Sequence, residues 1–322
     1  MKLLITGAAG FVGSNLCEFM LNKGYNVLGL DNFSTGFTHN LNEFKLHPNF
    51  SFLEADIRDF ESCLKATQGI EYVLHQAALG SVPRSLKDPI TSNEVNVNGF
   101  LNMLEASKQN NVKRFVYAAS SSTYGDSEQL PKVEENIGNP LSPYSITKYV
   151  NELYANIYSK AYGLDTIGLR YFNVFGKRQD PHGAYAAVIP KFIHQFIEGT
   201  SPVVNGDGSY SRDFTYIDNV LQMNYLAITT TNQAAVNQVY NTAVGDCVSL
   251  LEMSDNIKEG LSAYDANIKN IELTFGPFRE GDIPHSQASI EKAKKLLGYQ
   301  PTHNFKEGIK ESLEWYYKNH KK

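Results

Sequence analysis

The fold is decided by residues 2–13, which read Lys2-Leu3-Leu4-Ile5-Thr6-Gly7-Ala8-Ala9-Gly10-Phe11-Val12-Gly13. A short apolar run typical of a buried strand is followed by a glycine turn and then by the apolar periodicity of a helix. Gly7 permits a tight turn, Gly10 lets backbone approach a pyrophosphate, and Gly13 lets the helix pack on the strand. The phosphates would lie at the helix N-terminus. The spacing is G-x-x-G-x-x-G, not the commoner G-x-G-x-x-G, and the alternative is a plain glycine-rich turn.

The next apolar run favours the dinucleotide interpretation. It spans residues 25–30 and ends in Asp31, roughly 20 residues past the glycines, where such folds place an acidic residue. A carboxylate there accepts hydrogen bonds from the adenosine ribose and repels a 2′-phosphate. We therefore predict that the chain binds NAD rather than NADP.

Strand and helix patterns continue to alternate through the first half of the chain. Further strands are predicted at residues 51–53, 71–75, 114–118 and 166–170, with helices between them. Such alternation specifies an α/β fold, here a Rossmann doubly wound parallel sheet with ligands at the strand C-termini. We predict a dinucleotide-binding domain over residues 1–172, with segments near 213–245 returning to it. Residues 173–322 would form most of a smaller α/β substrate-binding lobe.

A tyrosine and a lysine in the predicted helix beginning near Pro143 could form a base. Tyr144 and Lys148 are four residues apart, so they lie on one helix face. A nearby ammonium group favours the phenolate and would lower the tyrosine pKa from its ordinary value of about 10. Ser120, Ser121 and Ser122 follow a predicted strand, where a hydroxyl could hold a substrate oxygen. The spacing alone also occurs often by chance on surface helices.

Composition excludes several classes of protein. The 322 residues carry a formal net charge of −5, which argues against a general nucleic-acid binder. The three cysteines are far apart, which suits a reducing cytoplasm and gives no metal-site spacing, so no metal is predicted. No apolar run approaches the roughly 20 residues of a membrane span. The apolar N-terminus is broken at Thr6-Gly7, which favours an opening strand over a signal peptide.

Together these motifs resemble the extended short-chain dehydrogenase/reductases, and within them the UDP-sugar 4-epimerases. The resemblance runs from Lys2 to the end of the chain and is closest to bacterial enzymes that interconvert UDP-N-acetylglucosamine and UDP-N-acetylgalactosamine for surface polysaccharides such as O-antigen. It is carried by residues 76–85, 118–126, 169–174, 183–190, 205–208, 212–214 and 279–282.

The resemblance implies a role for each residue of the predicted site. Tyr144 would remove the proton of the sugar 4-hydroxyl, Lys148 would bind the nicotinamide ribose, and Ser120 would hold the 4-oxygen, with Ser121 and Ser122 beside it. NAD would remain tightly bound through the cycle, because its release would strand a 4-keto sugar. The residues predicted to bind NAD are Gly7, Gly10, Phe11, Val12, Gly13, Asp31, Asn32, Ser34, Thr35, Gly36, Asp56, Ile57, Gln76, Ala77, Ala78, Tyr144, Lys148 and Tyr171.

The resemblance also implies a UDP-sugar site in the second lobe. Its predicted residues are Gly80, Ser81, Arg84, Ser120, Ser121, Ser122, Tyr144, Asn173, Ala187, Val188, Ile189, Val204, Asn205, Gly206, Ser211, Arg212, Arg279, Asp282 and Ser286. Arginines suit a diphosphate as fixed, charge-assisted donors, and the alternative for Arg212 is an ion pair with Asp213. A serine at position 286, where glucose-only bacterial enzymes carry a bulky residue, would leave room for an N-acetyl group.

Other functions on the same scaffold stay open. The chain could epimerise UDP-N-acetylhexosamine uronic acids, or UDP-glucose and UDP-galactose. A 4,6-dehydratase fits less well, because Ser121-Ser122-Thr123 offers no carboxylate. From another class, a non-catalytic NAD-binding protein would not need Tyr144. The resemblance further implies a homodimer through a four-helix contact formed by residues 88–108 and 144–162, and a cytoplasmic location, with no nucleic-acid or membrane partner.

Overall fold

The computed structural model describes residues 1–183, 186–278 and 283–319. Its strands are β1 Lys2–Thr6, β2 Asn26–Asp31, β3 Phe50–Glu54, β4 Tyr72–His75, β5 Arg114–Ser120, β6 Asp165–Tyr171, β7 Val174–Phe175, β8 Val203–Asn205, β9 Ser211–Arg212, β10 Thr215–Tyr216, β11 Gln238–Thr242, β12 Val248–Ser249, β13 Thr274–Gly276 and β14 His285–Ser286. Its α-helices are α1 Phe11–Asn22, α2 Phe60–Ala66, α3 Val82–Lys87, α4 Pro89–Asn93, α5 Gly99–Gln109, α6 Pro143–Tyr162, α7 Val188–Ile197, α8 Ile217–Thr229, α9 Leu250–Ser262, α10 Glu291–Leu297 and α11 Phe305–Asn319.

The main sheet has the strand order β11-β6-β5-β4-β1-β2-β3, and every pairing in it is parallel. The chain leaves β1 for β2 and β3 on one side and then crosses to β4 on the other. This change of direction opens a crevice beyond the C-terminal ends of β1 and β4. The fold is therefore the predicted Rossmann doubly wound α/β sheet.

The sheet separates two apolar cores. Alternate side chains of a strand point to opposite faces, so Leu3 and Ile5 lie in one core and Leu4 in the other. Helices α1 and α8 supply the first core, and α2, α5 and α6 supply the second. Because both faces are covered, the first strand reads as a continuous apolar run.

Helix α6 is defined by strong signals at both ends. The Ser142 side chain accepts a hydrogen bond from the Ser145 amide, and the Ser145 side chain accepts one from the Ser142 amide. Pro143 occupies the first turn, where its missing N–H costs nothing, and Gly163 ends the helix with a φ of 72°. The Ser85 hydroxyl accepts a further bond from the Tyr144 amide at 3.0 Å. These contacts fix the start of α6, where Tyr144 lies.

One predicted helix is interrupted. The pattern over residues 90–108 predicts a continuous helix, but the structure contains α4, a widened π-type turn over Glu94–Asn98, and then α5. The buried Asn96 in this turn accepts a hydrogen bond from the Leu79 amide at 2.7 Å and donates to the Thr147 hydroxyl at 3.2 Å. The widened turn thus ties the loop after β4 to α6.

Short strands and loops form the region after β6. Strand β9 pairs with β12 and with β14, while β8 pairs with β13. The chain also returns to the main sheet, because β11 pairs with β6 and α8 packs beside β5. Within the described ranges, no helix has both the length and the apolar character needed to cross a bilayer. The domain boundaries near residues 172 and 213–245 stay a prediction.

Candidate active site

The glycine turn after β1 is shaped by contacts that exclude side chains. Gly7 has a φ of +68°, and a Cβ there would lie 2.9 Å from the Ala77 amide nitrogen. A Cβ on Gly13 would lie 1.9 Å from the Gly7 carbonyl oxygen. Among the described residues, the nearest atom that a Cβ on Gly10 would meet is that same oxygen, at 3.2 Å. Turn, strand and helix therefore pack as a dinucleotide fingerprint requires.

Asp31 is anchored at the edge of this turn. Its carboxylate accepts hydrogen bonds from the Ala9 amide at 2.9 Å and from the Phe33 amide at 2.8 Å. Asp56, at the end of the neighbouring strand, pairs with Arg58 at 2.7 Å and accepts from Asn32 at 2.9 Å. These hydrogen bonds, that from Arg58 being the strongest, lower the pKa of Asp56 to about 2. The two backbone hydrogen bonds thus fix the Asp31 carboxylate beside the glycine turn, where the adenosine ribose is predicted to bind.

A cavity of about 380 Å³, which we call the glycine-turn cavity, opens here. The predicted NAD-binding residues that line it are Gly7, Gly10, Phe11, Val12, Gly13, Asp31, Asn32, Ser34, Thr35, Asp56, Ile57, Gln76, Ala77 and Ala78. Gly80 and Arg84, predicted for the substrate, line it as well. The close-packed glycine turn and the anchored carboxylate fit a dinucleotide.

Four predicted cofactor residues lie outside this lining: Gly36, Tyr144, Lys148 and Tyr171. A Cβ on Gly36 would lie 2.8 Å from the Ala9 carbonyl carbon, so this glycine lets the loop after β2 pass close to the turn. The Tyr171 hydroxyl donates to the Gln76 side chain at 3.0 Å and accepts from Asn224 at 2.9 Å. Tyr171 therefore does not line the glycine-turn cavity itself, but its hydroxyl holds the side chain of Gln76, which does.

The predicted catalytic side chains meet beyond the end of β5. The Ser120 hydroxyl oxygen accepts hydrogen bonds from the Ser122 amide at 3.1 Å and from the Ser122 hydroxyl at 2.9 Å. With its oxygen occupied by these donors, Ser120 keeps its own proton for another acceptor. Its side chain also interacts with the Tyr144 hydroxyl and lowers the tyrosine pKa. Ser121 lies beside them in a short 3₁₀ turn.

The electrostatic prediction for Tyr144 is wrong in one respect. Burial raises the pKa of Tyr144, and this effect outweighs the interaction with Ser120. Lys148 Nζ is 6.0 Å from the centre of the tyrosine ring and donates to the Ala118 carbonyl oxygen at 2.8 Å. Burial lowers the pKa of Lys148 to about 8. The spacing on α6 is as predicted, but desolvation dominates the tyrosine pKa.

His75, at the end of β4, is a packed histidine. It is buried between Phe100 and Phe115, and its Nδ1 lies 2.9 Å from the Thr6 hydroxyl. Burial, with a smaller effect of Lys148, lowers its pKa to about 3. His75 is therefore neutral, and it packs between the strand ends instead of transferring a proton.

A second cavity of about 700 Å³, the α7 cavity, lies at the start of α7. The predicted substrate residues that line it are Ser81, Asn173, Ala187, Val188, Ile189, Asn205 and Arg212. The first amides of α7 and the Arg212 side chain make this cavity suitable for an anion. His182 and Lys191 also line it and were missed. Lys191 could have been predicted from the sequence, because it follows the predicted residues Val188 and Ile189 within the first turn of α7.

Arg212 and Asp213 have separate roles. The Arg212 guanidinium donates to the carbonyl oxygens of Ser211 at 2.9 Å and Pro284 at 3.1 Å. The Asp213 carboxylate instead accepts from the backbone amides of Val244, Gly245 and Ala288 at 2.9–3.3 Å. Burial raises the pKa of Asp213 to about 7. Asp213 thus links the segment after β9 to the loops that carry Val244, Gly245 and Ala288.

The other predicted substrate residues are more scattered. Val204 is buried in the apolar core, and Gly206 packs against the Phe278 ring. Ser211 bonds His285, and Ser286 is the register partner of Arg212 across β9 and β14. Val204, Gly206, Ser211 and Ser286 do not line the α7 cavity, whereas their chain neighbours Asn205 and Arg212 do. Arg279 and Asp282 lie outside the described residues.

The chain is similar to known proteins over almost its whole length. The profile of the NAD dependent epimerase/dehydratase family matches residues 3–243. A putative UDP-glucose 4-epimerase of Methanocaldococcus jannaschii is 36% identical over 321 residues, 99% of each chain.

Two solved structures share the fold. The UDP-glucose 4-epimerase of Thermotoga maritima, solved with UDP-glucose, is 35% identical, with a TM-score of 0.91 over 99% of this chain and 100% of that one. The UDP-N-acetylglucosamine 4-epimerase of Methanobrevibacter ruminantium M1, solved with UDP-N-acetylmuramic acid, is also 35% identical, with a TM-score of 0.91 over 98% of both chains. The chain therefore belongs to the NAD-dependent epimerase/dehydratase family, within the extended short-chain dehydrogenase/reductases, and its cofactor is NAD.

Proposed function

We propose that the protein is a UDP-sugar 4-epimerase that interconverts UDP-N-acetylglucosamine and UDP-N-acetylgalactosamine. The observation that carries this proposal is the meeting of Ser120 and Tyr144 at the end of β5, with Lys148 one helical turn along α6. This group lies at the end of β5, the strand next to β4, whose C-terminal end borders the crevice of the doubly wound sheet. A non-catalytic NAD-binding protein would not require a buried phenol beside a serine.

The side chains divide the chemistry among them. When bound, NAD supplies the acceptor and donor of hydride for carbon 4 of the sugar. Tyr144 takes the proton of the 4-hydroxyl as a general base and returns it after the ketone has turned. Ser120 donates its proton to the 4-oxygen, since Ser122 already occupies its acceptor sites. Lys148 would bind the nicotinamide ribose and would supply positive charge near the phenolate.

The UDP group is assigned to the α7 cavity. Arg212 and the first amides of α7 would bind the diphosphate, and Asn173 lies at the same wall. Asn173 adopts a φ of +35°, a strained backbone conformation for a residue with a side chain. Its side chain donates to the carbonyl oxygen of Asp213, the residue after β9, at 3.2 Å, which fixes this wall of the cavity.

The preference for an N-acetylated sugar depends on small residues around the sugar. Ser286 stands opposite Arg212 in the β9–β14 pairing, which supports a position near the bound diphosphate sugar. The experiment that tests the choice compares kcat/KM for UDP-N-acetylglucosamine, UDP-glucose and UDP-N-acetylglucosaminuronic acid. We expect the N-acetylated neutral sugar to give the largest value. A larger value for the uronic acid would replace this substrate assignment.

A bulky residue at position 286 should change substrate preference. We expect Ser286→Tyr to lower kcat/KM for UDP-N-acetylglucosamine at least about 10-fold more than for UDP-glucose, because it fills the space of the acetyl group. Steady-state kinetics with both sugars measures this ratio, and UDP-glucose serves as the internal control for folding. An equal loss for both sugars would show that Ser286 does not bound the N-acetyl site.

A homodimer is the proposed assembly. The face of α6 that carries Ile146, Leu153 and Ile157 is apolar but exposed, with Ile157 53% exposed. Leu86 and Ile90, on the adjoining α3 and α4, are also exposed, Ile90 by 72%. A contiguous apolar face of this kind marks an interaction surface. Pairing of α6 and its neighbours between two copies would bury it as a four-helix contact.

The dimer should dissociate when this face is charged. We expect the wild-type protein to run at twice the chain mass of 36.0 kDa in light scattering coupled to gel filtration. The double variant Leu153→Glu/Ile157→Glu should run at one chain mass, because two carboxylates in an apolar contact lose their hydration. Leu46→Glu, a change at an exposed leucine elsewhere, is the control. A wild-type monomer would overturn the proposed assembly.

A further inference from the structure

A buried arginine, Arg178, lies between helix α1 and the loop after β2. Its side chain is only 3% exposed. Arg178 Nη1 lies 2.8 Å from Glu18 Oε2 in α1, and Nη2 pairs with Glu43 Oε2 in the loop. The guanidinium carbon also lies 5.8 Å from the centre of the Phe44 ring in that loop. Arg178 lines neither the glycine-turn cavity nor the α7 cavity, so it joins protein segments and is not placed to touch a ligand.

The two segments that Arg178 joins both help to form the glycine-turn cavity. Helix α1 begins with Phe11 and Val12, which line part of this cavity. The loop after β2, residues 32–49, contributes Ser34 and Thr35 to another part of the lining. One guanidinium group therefore ties together two segments between which a dinucleotide would bind.

The charges around Glu18 keep this contact ionic. Lys177 Nζ also lies 2.8 Å from Glu18 Oε2. Burial alone would raise the pKa of Glu18, but Lys177 and Arg178 outweigh it and hold this pKa below its ordinary value. The Asn15 side chain in α1 donates to the Lys177 carbonyl oxygen at 3.0 Å. The segment that carries Arg178 is thus fixed to α1 by its backbone as well as by its charges.

The backbone of Arg178 is strained. Its φ is +67°, in the left-handed region that residues with side chains seldom adopt. The next residue is held on both its backbone and its side chain: the Tyr316 hydroxyl donates to the Gln179 carbonyl oxygen at 2.6 Å, and the Gln179 side chain donates to the Val174 carbonyl oxygen at 3.1 Å. Strain of this kind collects at positions where a side chain has a function, and here it accompanies an inward-facing guanidinium.

Other contacts hold the earlier parts of the loop. The Phe33 amide donates to the Asp31 carboxylate, and the Asn40 side chain donates to the Ala9 carbonyl oxygen at 2.9 Å. Arg178 adds the tie at Glu43, toward the end of the loop. A dinucleotide that fills the glycine-turn cavity would touch the lining residues of this loop, so the freedom of the loop would set how fast the dinucleotide leaves.

We propose that Arg178 is a positioning residue for the cofactor: by bridging α1 and the loop after β2, it slows the release of NAD. It acts through Glu18 and Glu43 and contacts no ligand itself. A planar guanidinium can reach two carboxylates at once in a fixed geometry, whereas a lysine ammonium is a single point charge. The proposal concerns the cofactor alone and does not depend on which sugar the protein converts.

The test measures how fast the purified, NAD-loaded full-length protein exchanges its bound cofactor for radiolabelled NAD. Arg178→Lys should exchange about 10-fold faster than the wild type, because the lysine cannot hold both carboxylates. Glu43→Gln removes one exposed charge and should exchange about 3-fold faster. The double variant should be no faster than Arg178→Lys alone, because the two side chains form one contact.

Arg114→Lys is the matched control. Arg114 is also buried, but it lies at the start of β5, at the opposite end of that strand from the ligand crevice, and donates to the Ala227 carbonyl oxygen at 2.8 Å. Its lysine variant should keep the wild-type exchange rate even where its melting temperature falls. That comparison separates an effect on NAD release from a general loss of stability.

Three results would overturn the proposal. Wild-type exchange in Arg178→Lys would leave Arg178 with a role in folding only. Equal acceleration in Arg114→Lys would show that any loss of stability frees the cofactor. Faster exchange in Arg178→Lys without any in Glu43→Gln would mean that the tie to the loop does not retain NAD. Since cofactor exchange is measured without a sugar, each result leaves the proposed epimerase function untouched.

Discussion

Replacing Tyr144 with phenylalanine is expected to lower kcat for epimerisation of UDP-N-acetylglucosamine by roughly 10³-fold, within the usual range for loss of a general base. The change removes one oxygen and keeps the ring, so packing at the start of α6 should survive. The loss should appear in kcat more than in KM, because proton transfer at the 4-oxygen is made only in the transition state.

Two controls make this result specific. Tyr149→Phe, a tyrosine change on the same helix, should keep activity near the wild-type value. The NAD content and melting temperature of Tyr144→Phe should match those of the wild type, which would exclude loss of the cofactor as the cause. Activity of the phenylalanine variant within a few-fold of the wild type would remove Tyr144 from the mechanism.

Replacing Gly13 with alanine is expected to abolish cofactor retention. The added methyl would lie 1.9 Å from the Gly7 carbonyl oxygen and 3.0 Å from the Ala8 Cα, and both are backbone atoms that cannot rotate away. The turn must therefore shift or α1 must move off β1, at a cost of about 1–3 kcal/mol or more. Absorbance of the nucleotide released on denaturation should show less than about a tenth of the wild-type NAD content, a factor that matches 1.4 kcal/mol or more.

Two further glycine variants separate unfolding from loss of the binding site. In Gly10→Ala the nearest atom of the described residues to the new methyl group is 3.2 Å away, so the fold should persist while the methyl group narrows the glycine-turn cavity. Gly276→Ala, in β13, meets its nearest atom at an ordinary 3.5 Å and should behave as wild type. Full NAD content in Gly13→Ala would contradict the role assigned to the glycine turn.

The parts of the molecule that sequence predicts well are those set by local backbone chemistry. The glycine turn, the strand ending in Asp31 and helix α6 all depend on signals within a few residues, and each lies where it was predicted. Ser249 caps α9 in the same local way, because its side chain accepts a hydrogen bond from the Glu252 amide. Parallel strand order follows because β–α–β crossovers leave few alternatives.

Other features depend on contacts between distant segments. Asn96 bonds the Leu79 backbone and Thr147, and nothing in residues 90–108 indicates that the helix must widen there. Val204 directly precedes the matching stretch 205–208, yet its side chain is buried, while its neighbour Asn205 lines the α7 cavity. The pKa of Tyr144 followed burial rather than the lysine, because desolvation is set by the packed surroundings.

The substrate lobe is the hardest part to predict for a physical reason. The α7 cavity is lined by residues from α3, the segment after β6, the start of α7 and strands β8 and β9, so no single stretch carries its pattern. Asp213 illustrates the difficulty, since its carboxylate was weighed as a partner of Arg212 but bonds three backbone amides.

We propose that Tyr144 epimerises a UDP-sugar while the protein retains its NAD throughout the cycle. Incubation of the purified protein with UDP-N-acetylglucosamine and no added NAD, followed by proton NMR, tests this mechanism most directly. We expect UDP-N-acetylgalactosamine to appear until the two sugars reach equilibrium, and added NAD to leave the rate unchanged. A protein that carries its NAD yet forms no 4-epimer would contradict it.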